Sequence, residues 1–174
     1  MLPHLTLVLG GAASGKSDYA EKILRSASEK RLYVATAQAW DDEMKAKIQA
    51  HQDARASDGW RTIEAPLAPD EALRTMERDE IALLDCATMW LTNHLLTDSD
   101  IHQAQRALFA GLAEAPGRVV IVTNEVGAGI VPDNALARRF REAQGRLNRE
   151  IAERADLVVA VMAGLPLALK GKLP

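Results

Sequence analysis

A chain of 174 residues with 48% hydrophobic content can close one core without disulfide or metal staples, and a single domain over 1–174 accounts for its length. Its 21 basic and 24 acidic residues give a formal charge of -3 that is spread along the chain. That excludes a basic footprint for nucleic acid or an anionic membrane and points to a small-molecule partner. The one cysteine, Cys86, excludes an internal disulfide and fits a reducing, cytoplasmic setting, and no Cys/His group has zinc spacing.

Taken in chain order, the first apolar run, Leu5-Thr6-Leu7-Val8-Leu9, reads as a buried strand. It leads directly into Gly10-Gly11-Ala12-Ala13-Ser14-Gly15-Lys16-Ser17, a match to G-x-x-x-x-G-K-[ST]. Glycines at these places let the backbone wrap a polyphosphate with its N–H groups turned inward. Lys16 adds charge at the β- and γ-phosphates, and Ser17 offers a hydroxyl to Mg²⁺. Tyr19, Ala20, Ile23, Leu24 and Ala27 then follow at helical spacing, so a helix N-terminus faces the anion. Removal of the apolar N-terminus as a secretion signal would destroy this loop, and the segment lacks the basic region such a signal needs.

Further strand-like runs lie at 32–35, 81–84, 119–122 and 157–161, with helix-like stretches between most of them. This alternation predicts an α/β fold of the P-loop NTPase type, a mainly parallel sheet flanked by helices. The last run breaks at Gly164-Leu165-Pro166 and resumes at 167–169, which predicts a C-terminal hairpin or edge strand. At about 13 residues with two breakers, this stretch is too short to span a bilayer. The clearest helix is expected over 134–154, with Asp133 as its N-cap and Leu136, Phe140, Ala143, Leu147 and Ile151 on one stripe. Its arginines, 138, 139, 141, 146 and 149, read as a solvated, salt-bridged face, with a phosphate or subunit contact as the competing role.

A phosphate loop needs an acid at the end of a neighbouring strand to orient hydrated Mg²⁺, and Asp85 stands there, after Ile81-Ala82-Leu83-Leu84. The metal role is preferred over a plain strand terminator. Cys86 reads as a small core residue, with no basic sequence neighbour to activate its thiol. The glycine-bearing segment 125–132 sits where α/β sheets carry binding loops, and a simple turn into the next helix fits equally well. His51 falls on the apolar stripe of a helical pattern over 41–54, at i+7 from Met44 and i+3 from Ile48; spacing alone reads it as a hydrogen-bonded core histidine.

The P-loop together with Tyr33-Val34-Ala35-Thr36-Ala37, Asp41-Asp42-Glu43-Met44, His51-Gln52-Asp53-Ala54-Arg55, Trp60-Arg61-Thr62-Ile63-Glu64, Thr123-Asn124-Glu125-Val126-Gly127 and Gly129-Ile130-Val131-Pro132 resembles one family over nearly the whole chain. That family is the bifunctional adenosylcobinamide kinase/adenosylcobinamide-phosphate guanylyltransferases of cobalamin biosynthesis. The resemblance implies that His51 is a nucleophile that accepts GMP from GTP, reversing the reading from spacing. It places Gly10 to Ser17 on the nucleotide phosphates and Ala35, Thr36 and Ala37 at a nucleotide-contacting strand end. Gln52, Asp53, Ala54, Arg55, Glu64 and Asp85 then belong to the guanine nucleotide site. Some relatives carry two adjacent histidines where this chain has Ala50-His51, and Glu where it has Asp85.

The same resemblance implies GTP, ATP and Mg²⁺ as ligands, adenosylcobinamide and its phosphate as substrates, and a homo-oligomer, for which the Arg-bearing helix and the surface near Trp40 and Trp90 are candidate contacts. Two other classes remain as alternatives. One is a small-molecule kinase without nucleotidyl transfer, in which His51 is structural. The other is a nucleotide-dependent switch, against which the sequence offers neither N-K-x-D nor D-x-x-G.

Overall fold

The computed structural model describes residues 1–38, 49 and 58–174. Apart from Gln49, the expected helix over 41–54 lies outside them. The described elements are β1 (Leu5–Gly10), α1 (Lys16–Arg25), β2 (Arg31–Ala35), β3 (Trp60–Glu64), α2 (Pro69–Arg74), β4 (Ile81–Asp85), α3 (Ala87–Leu96), α4 (Ile101–Glu114), β5 (Arg118–Asn124), α5 (Ala135–Arg154), β6 (Leu157–Met162) and β7 (Leu165–Lys170).

The strands form one seven-stranded sheet in the order β3-β2-β4-β5-β1-β6-β7. Every neighbouring pair is parallel except β6 and β7, which form an antiparallel hairpin. Strands covered on both faces read as unbroken apolar runs, which is why β1, β4, β5 and β6 stand out in the sequence. Successive side chains divide between two cores. Val8, Leu83, Val120, Val122 and Val159 pack with Ala20, Ile23 and Leu24 of α1. Leu7, Leu84, Ile121 and Val158 pack on the other face against Leu73, Trp90, Leu91, Leu108, Leu112, Leu147 and Ile151 of α2 to α5.

One strand goes unannounced in the sequence, and two expectations need correction. β3 is an edge strand whose middle is only half-buried, so Trp-Arg-Thr-Ile-Glu shows no apolar run. The long helix is capped by Asn134, whose Oδ1 accepts from Ala137 N at 2.7 Å, and not by Asp133. Its stripe begins one turn later than expected, since Leu136 is 57% exposed. The C-terminal hairpin is present, and Pro166 sits within its edge strand, where a missing N–H is tolerated. No helix among the described residues is long and apolar enough to cross a membrane.

Candidate active site

The carboxyl ends of β1 and β5 lie side by side, with Gly10 opposite Asn124. Their chains leave in opposite directions. β1 continues through α1 to β2, three strands to one side, whereas β5 continues through α5 to β6 on the far side of β1. Such a switch point opens a crevice beyond the strand ends, and the Gly10-to-Ser17 loop is built into it.

Ala13 (φ 53°) and Gly15 (φ 88°) adopt left-handed backbone that turns the chain tightly into α1. Gly15 caps this helix without any side-chain hydrogen bond, whereas α3, α4 and α5 are capped by Cys86, Asp100 and Asn134. The first N–H groups of α1 therefore keep their capacity for an anion. Lys16 Nζ folds back to donate to the Gly11 carbonyl at 3.1 Å.

The hairpin turn between β6 and β7 supports the loop from behind. Gly164 N donates to Ser14 O at 2.8 Å. A Cβ on Gly10 would stand 2.5 Å from the Val161 carbonyl, and one on Gly15 would stand 3.1 Å from Gly164 Cα. Nothing in the local sequence announces this support, because the partners are about 150 residues apart.

Asp85 ends β4, two strand positions from β1, a separation of about 10 Å. Alternation puts it on the same face as Leu83, the face packed by α1, so its carboxylate lies on the side from which Ser17 enters the loop. The Tyr33 hydroxyl donates to Asp85 Oδ2 at 2.7 Å. Thr36 is fully buried: its hydroxyl accepts from Cys86 N at 2.7 Å and donates to Cys86 O at 2.8 Å, and its own N–H donates to Asp85 O at 3.1 Å. That hydroxyl clasps β2 to the end of β4. Ala35 is buried and Ala37 half-buried beside it. Glu64 is exposed at the end of the outermost strand, four positions from β1 and about 19 Å away, the most remote of the described candidates. His51, Gln52, Asp53, Ala54 and Arg55 lie outside the described residues.

The Ser17 hydroxyl and the Asp85 carboxylate are hard oxygen donors on one side of the sheet. Among the described residues no group of three His, Cys, Asp or Glu forms a closed cage. An arrangement with few protein oxygens beside a phosphate loop fits Mg²⁺, which keeps several waters and takes its other ligands from substrate phosphates.

Cys86 is buried, and burial, followed by the Asp85 charge, pushes its thiol up to about 11. Its Sγ accepts from Met89 N at 3.4 Å, so it works as a core residue and helix cap. Two arginines of α5 do something the sequence did not suggest. Arg141 donates to the Gly127 and Gly129 carbonyls and Arg138 to those of Pro132 and Asp133, pinning the segment that follows β5. Beneath that segment, Asn148 Oδ1 accepts from Thr123 Oγ1 and Gln144 Nε2, both at 2.8 Å, while Asn148 Nδ2 donates to Asn124 O at 3.0 Å.

Comparison with known proteins supplies the family. Residues 6–169 match the family model described as cobinamide kinase / cobinamide phosphate guanyltransferase. The chain is 45% identical to the bifunctional adenosylcobalamin biosynthesis protein CobP of Pseudomonas aeruginosa, covering 95% of this chain and 97% of that protein. It is 41% identical to the bifunctional adenosylcobalamin biosynthesis protein CobU of Salmonella typhimurium, with coverage of 95% and 99%. Among solved structures, an ATPase from the type III secretion system of pathogenic bacteria superposes with a TM-score of 0.57 at 12% identity, covering 95% of this chain and 56% of that one, a likeness of fold alone. The chain belongs to the cobinamide kinase / cobinamide phosphate guanyltransferase family.

Proposed function

We propose that this protein phosphorylates adenosylcobinamide with ATP or GTP and then transfers GMP from GTP to the resulting phosphate, through a guanylylated His51. The observation that carries the nucleotide half of this reading is the uncapped N-terminus of α1 behind a left-handed glycine turn, with Lys16 at its head and Asp85 on the same side of the sheet. Family membership over 6–169 supports the choice of substrates and of His51.

In the kinase step, the substrate hydroxyl attacks the γ-phosphorus, the β–γ bridge breaks to release the nucleoside diphosphate, and the hydroxyl proton passes to water. The chain's share is positioning: loop N–H groups hold the phosphates, and Lys16 swings from the Gly11 carbonyl onto them. In the second step a neutral imidazole nitrogen of His51 attacks the α-phosphorus and the α–β bridge breaks with loss of pyrophosphate. The phosphate oxygen of adenosylcobinamide phosphate then displaces the histidine, breaking P–N and giving adenosyl-GDP-cobinamide. The attack requires the imidazole in its neutral form, with a ring nitrogen lone pair free. Bound Mg²⁺ supplies charge neutralisation on the phosphate oxygens, and Ser17 and Asp85 are the residues that hold or orient it.

Gln52 to Arg55 and Glu64 complete the guanine nucleotide site, and the enzyme works in the cytoplasm as a homo-oligomer. Mass spectrometry of the intact protein after incubation with GTP and Mg²⁺ tests the covalent step. A GMP-sized, acid-labile adduct forms on the parent and is absent from His51→Ala; an adduct that persists in the variant refutes the assignment.

A further inference from the structure

From the contact between β2 and the end of β4 we infer that Tyr33 is a positioning residue for the metal–nucleotide site, holding the Asp85 carboxylate in the orientation that serves Mg²⁺. The inference rests on the role proposed above for Asp85. Tyr33 is opposite Leu83 in the parallel register, so its ring occupies the α1 face one step below Asp85 and its hydroxyl reaches Oδ2 at 2.7 Å. A phenol donating to a carboxylate gives a short, charge-assisted hydrogen bond that fixes the plane of the carboxylate as well as its place.

The ring itself is held. Tyr33 is 6% exposed and meets Trp60 edge to face, with centroids 6.1 Å apart and planes at 79°. The backbone behind Asp85 is fixed independently by Thr36, through Asp85 O and both polar groups of Cys86. Strand β2 and the residue that follows it thus immobilise the acid, at the main chain through Thr36 and at the side chain through Tyr33. The main-chain clasp serves the fold in any case, whereas the phenol bond bears on where the carboxylate oxygens point. Whether a carboxylate meets a hydrated ion directly or through its waters, the contact is sensitive to the tilt of the acceptor oxygens.

Tyr33→Phe removes a single oxygen and keeps the ring against Trp60, so folding is retained and a melting curve verifies it. The readout is equilibrium binding of Mn²⁺, followed by electron paramagnetic resonance of the free ion, in the complex with a GTP analogue whose α–β bridge cannot be cleaved. The Mn²⁺ dissociation constant is expected to rise about tenfold in Tyr33→Phe, the order of loss typical when a partner of a metal-orienting carboxylate is removed. Metal-free analogue binding should stay within about twofold of the parent. Asp85→Asn should weaken Mn²⁺ at least as much, and the double variant no more than Asp85→Asn alone, because the two act in series. An unchanged Mn²⁺ constant in Tyr33→Phe beside a weakened one in Asp85→Asn overturns the inference and leaves the role of Asp85 standing. Unchanged constants in both overturn that role as well. Losses that add in the double variant also refute the coupling.

Discussion

Gly10 and Gly11 are adjacent, chemically identical and both in the phosphate motif, yet the structure predicts opposite responses to a methyl group. A Cβ on Gly10 would stand 2.5 Å from the Val161 carbonyl oxygen. Val161 is fully buried on β6, a strand paired on both sides, so that oxygen cannot retreat without dragging the sheet. The same Cβ also meets the Ser14 side chain, whose backbone carbonyl is already held by Gly164. Overpacking against fixed backbone costs about 2–3 kcal/mol, which in a domain of this size lowers the melting temperature by roughly 5–10 °C. Because the clash moves the loop and not a distant surface, GTP affinity should fall by about tenfold as well. At Gly11 a Cβ meets nothing within 4 Å, so Gly11→Ala should stay within about 0.5 kcal/mol of the parent. Thermal melts of both variants, with calorimetric GTP titration of Gly10→Ala, decide the matter. Equal melting of the two variants would refute the claim that the β6 backbone sets the shape of the loop.

Three further outcomes can be checked with little effort. Burial holds the Cys86 thiol up at about 11 against an ordinary value of 9.0. Between these values the unfolded chain has lost a proton that the native chain keeps, so stability falls as pH rises through that window, and Cys86→Ala should show a shallower alkaline decline in urea midpoints. At pH 8 the native thiol should resist a disulfide exchange reagent, with one equivalent reacting only after denaturation. Asn148→Ala removes the acceptor shared by Thr123 and Gln144 and the donor to Asn124 O, all in the interior beneath the β5 end. It should cost about 2–3 kcal/mol in urea denaturation, whereas a loss below about 0.5 kcal/mol would mean that water replaces the amide.

Legibility in the sequence followed the range of the interactions. Five of the seven strands were visible because a parallel strand buried on both faces writes its burial into consecutive residues, and β7 was visible from the break at Gly164-Leu165-Pro166. The phosphate loop was visible for the same reason, since its turn, charge and helix start lie within eight positions. Asp85 could be found from the end of such a run. β3 could not, because an edge strand spends its middle residues half in solvent. Adjacent Asp133 and Asn134 can both cap a helix, and only the structure distinguishes them. Thr36 carries the sharpest lesson. The family resemblance implies a nucleotide-contacting strand end there, and in the structure its hydroxyl is engaged with a backbone fifty positions along the chain. Tyr33, fifty-two positions from its carboxylate, gave no local sign at all.

The backing of the phosphate loop by the final hairpin orders events in time as well as in space. The nucleotide motif is complete once the seventeenth residue has been made, but the carbonyl and glycine that shape it belong to Val161 and Gly164. A nascent chain therefore carries a recognisable but unshaped loop until β6 and β7 have been made. The loop takes its full shape only when β6 and β7 dock, so a chain truncated before Val161 is expected to hold triphosphates less tightly than the whole.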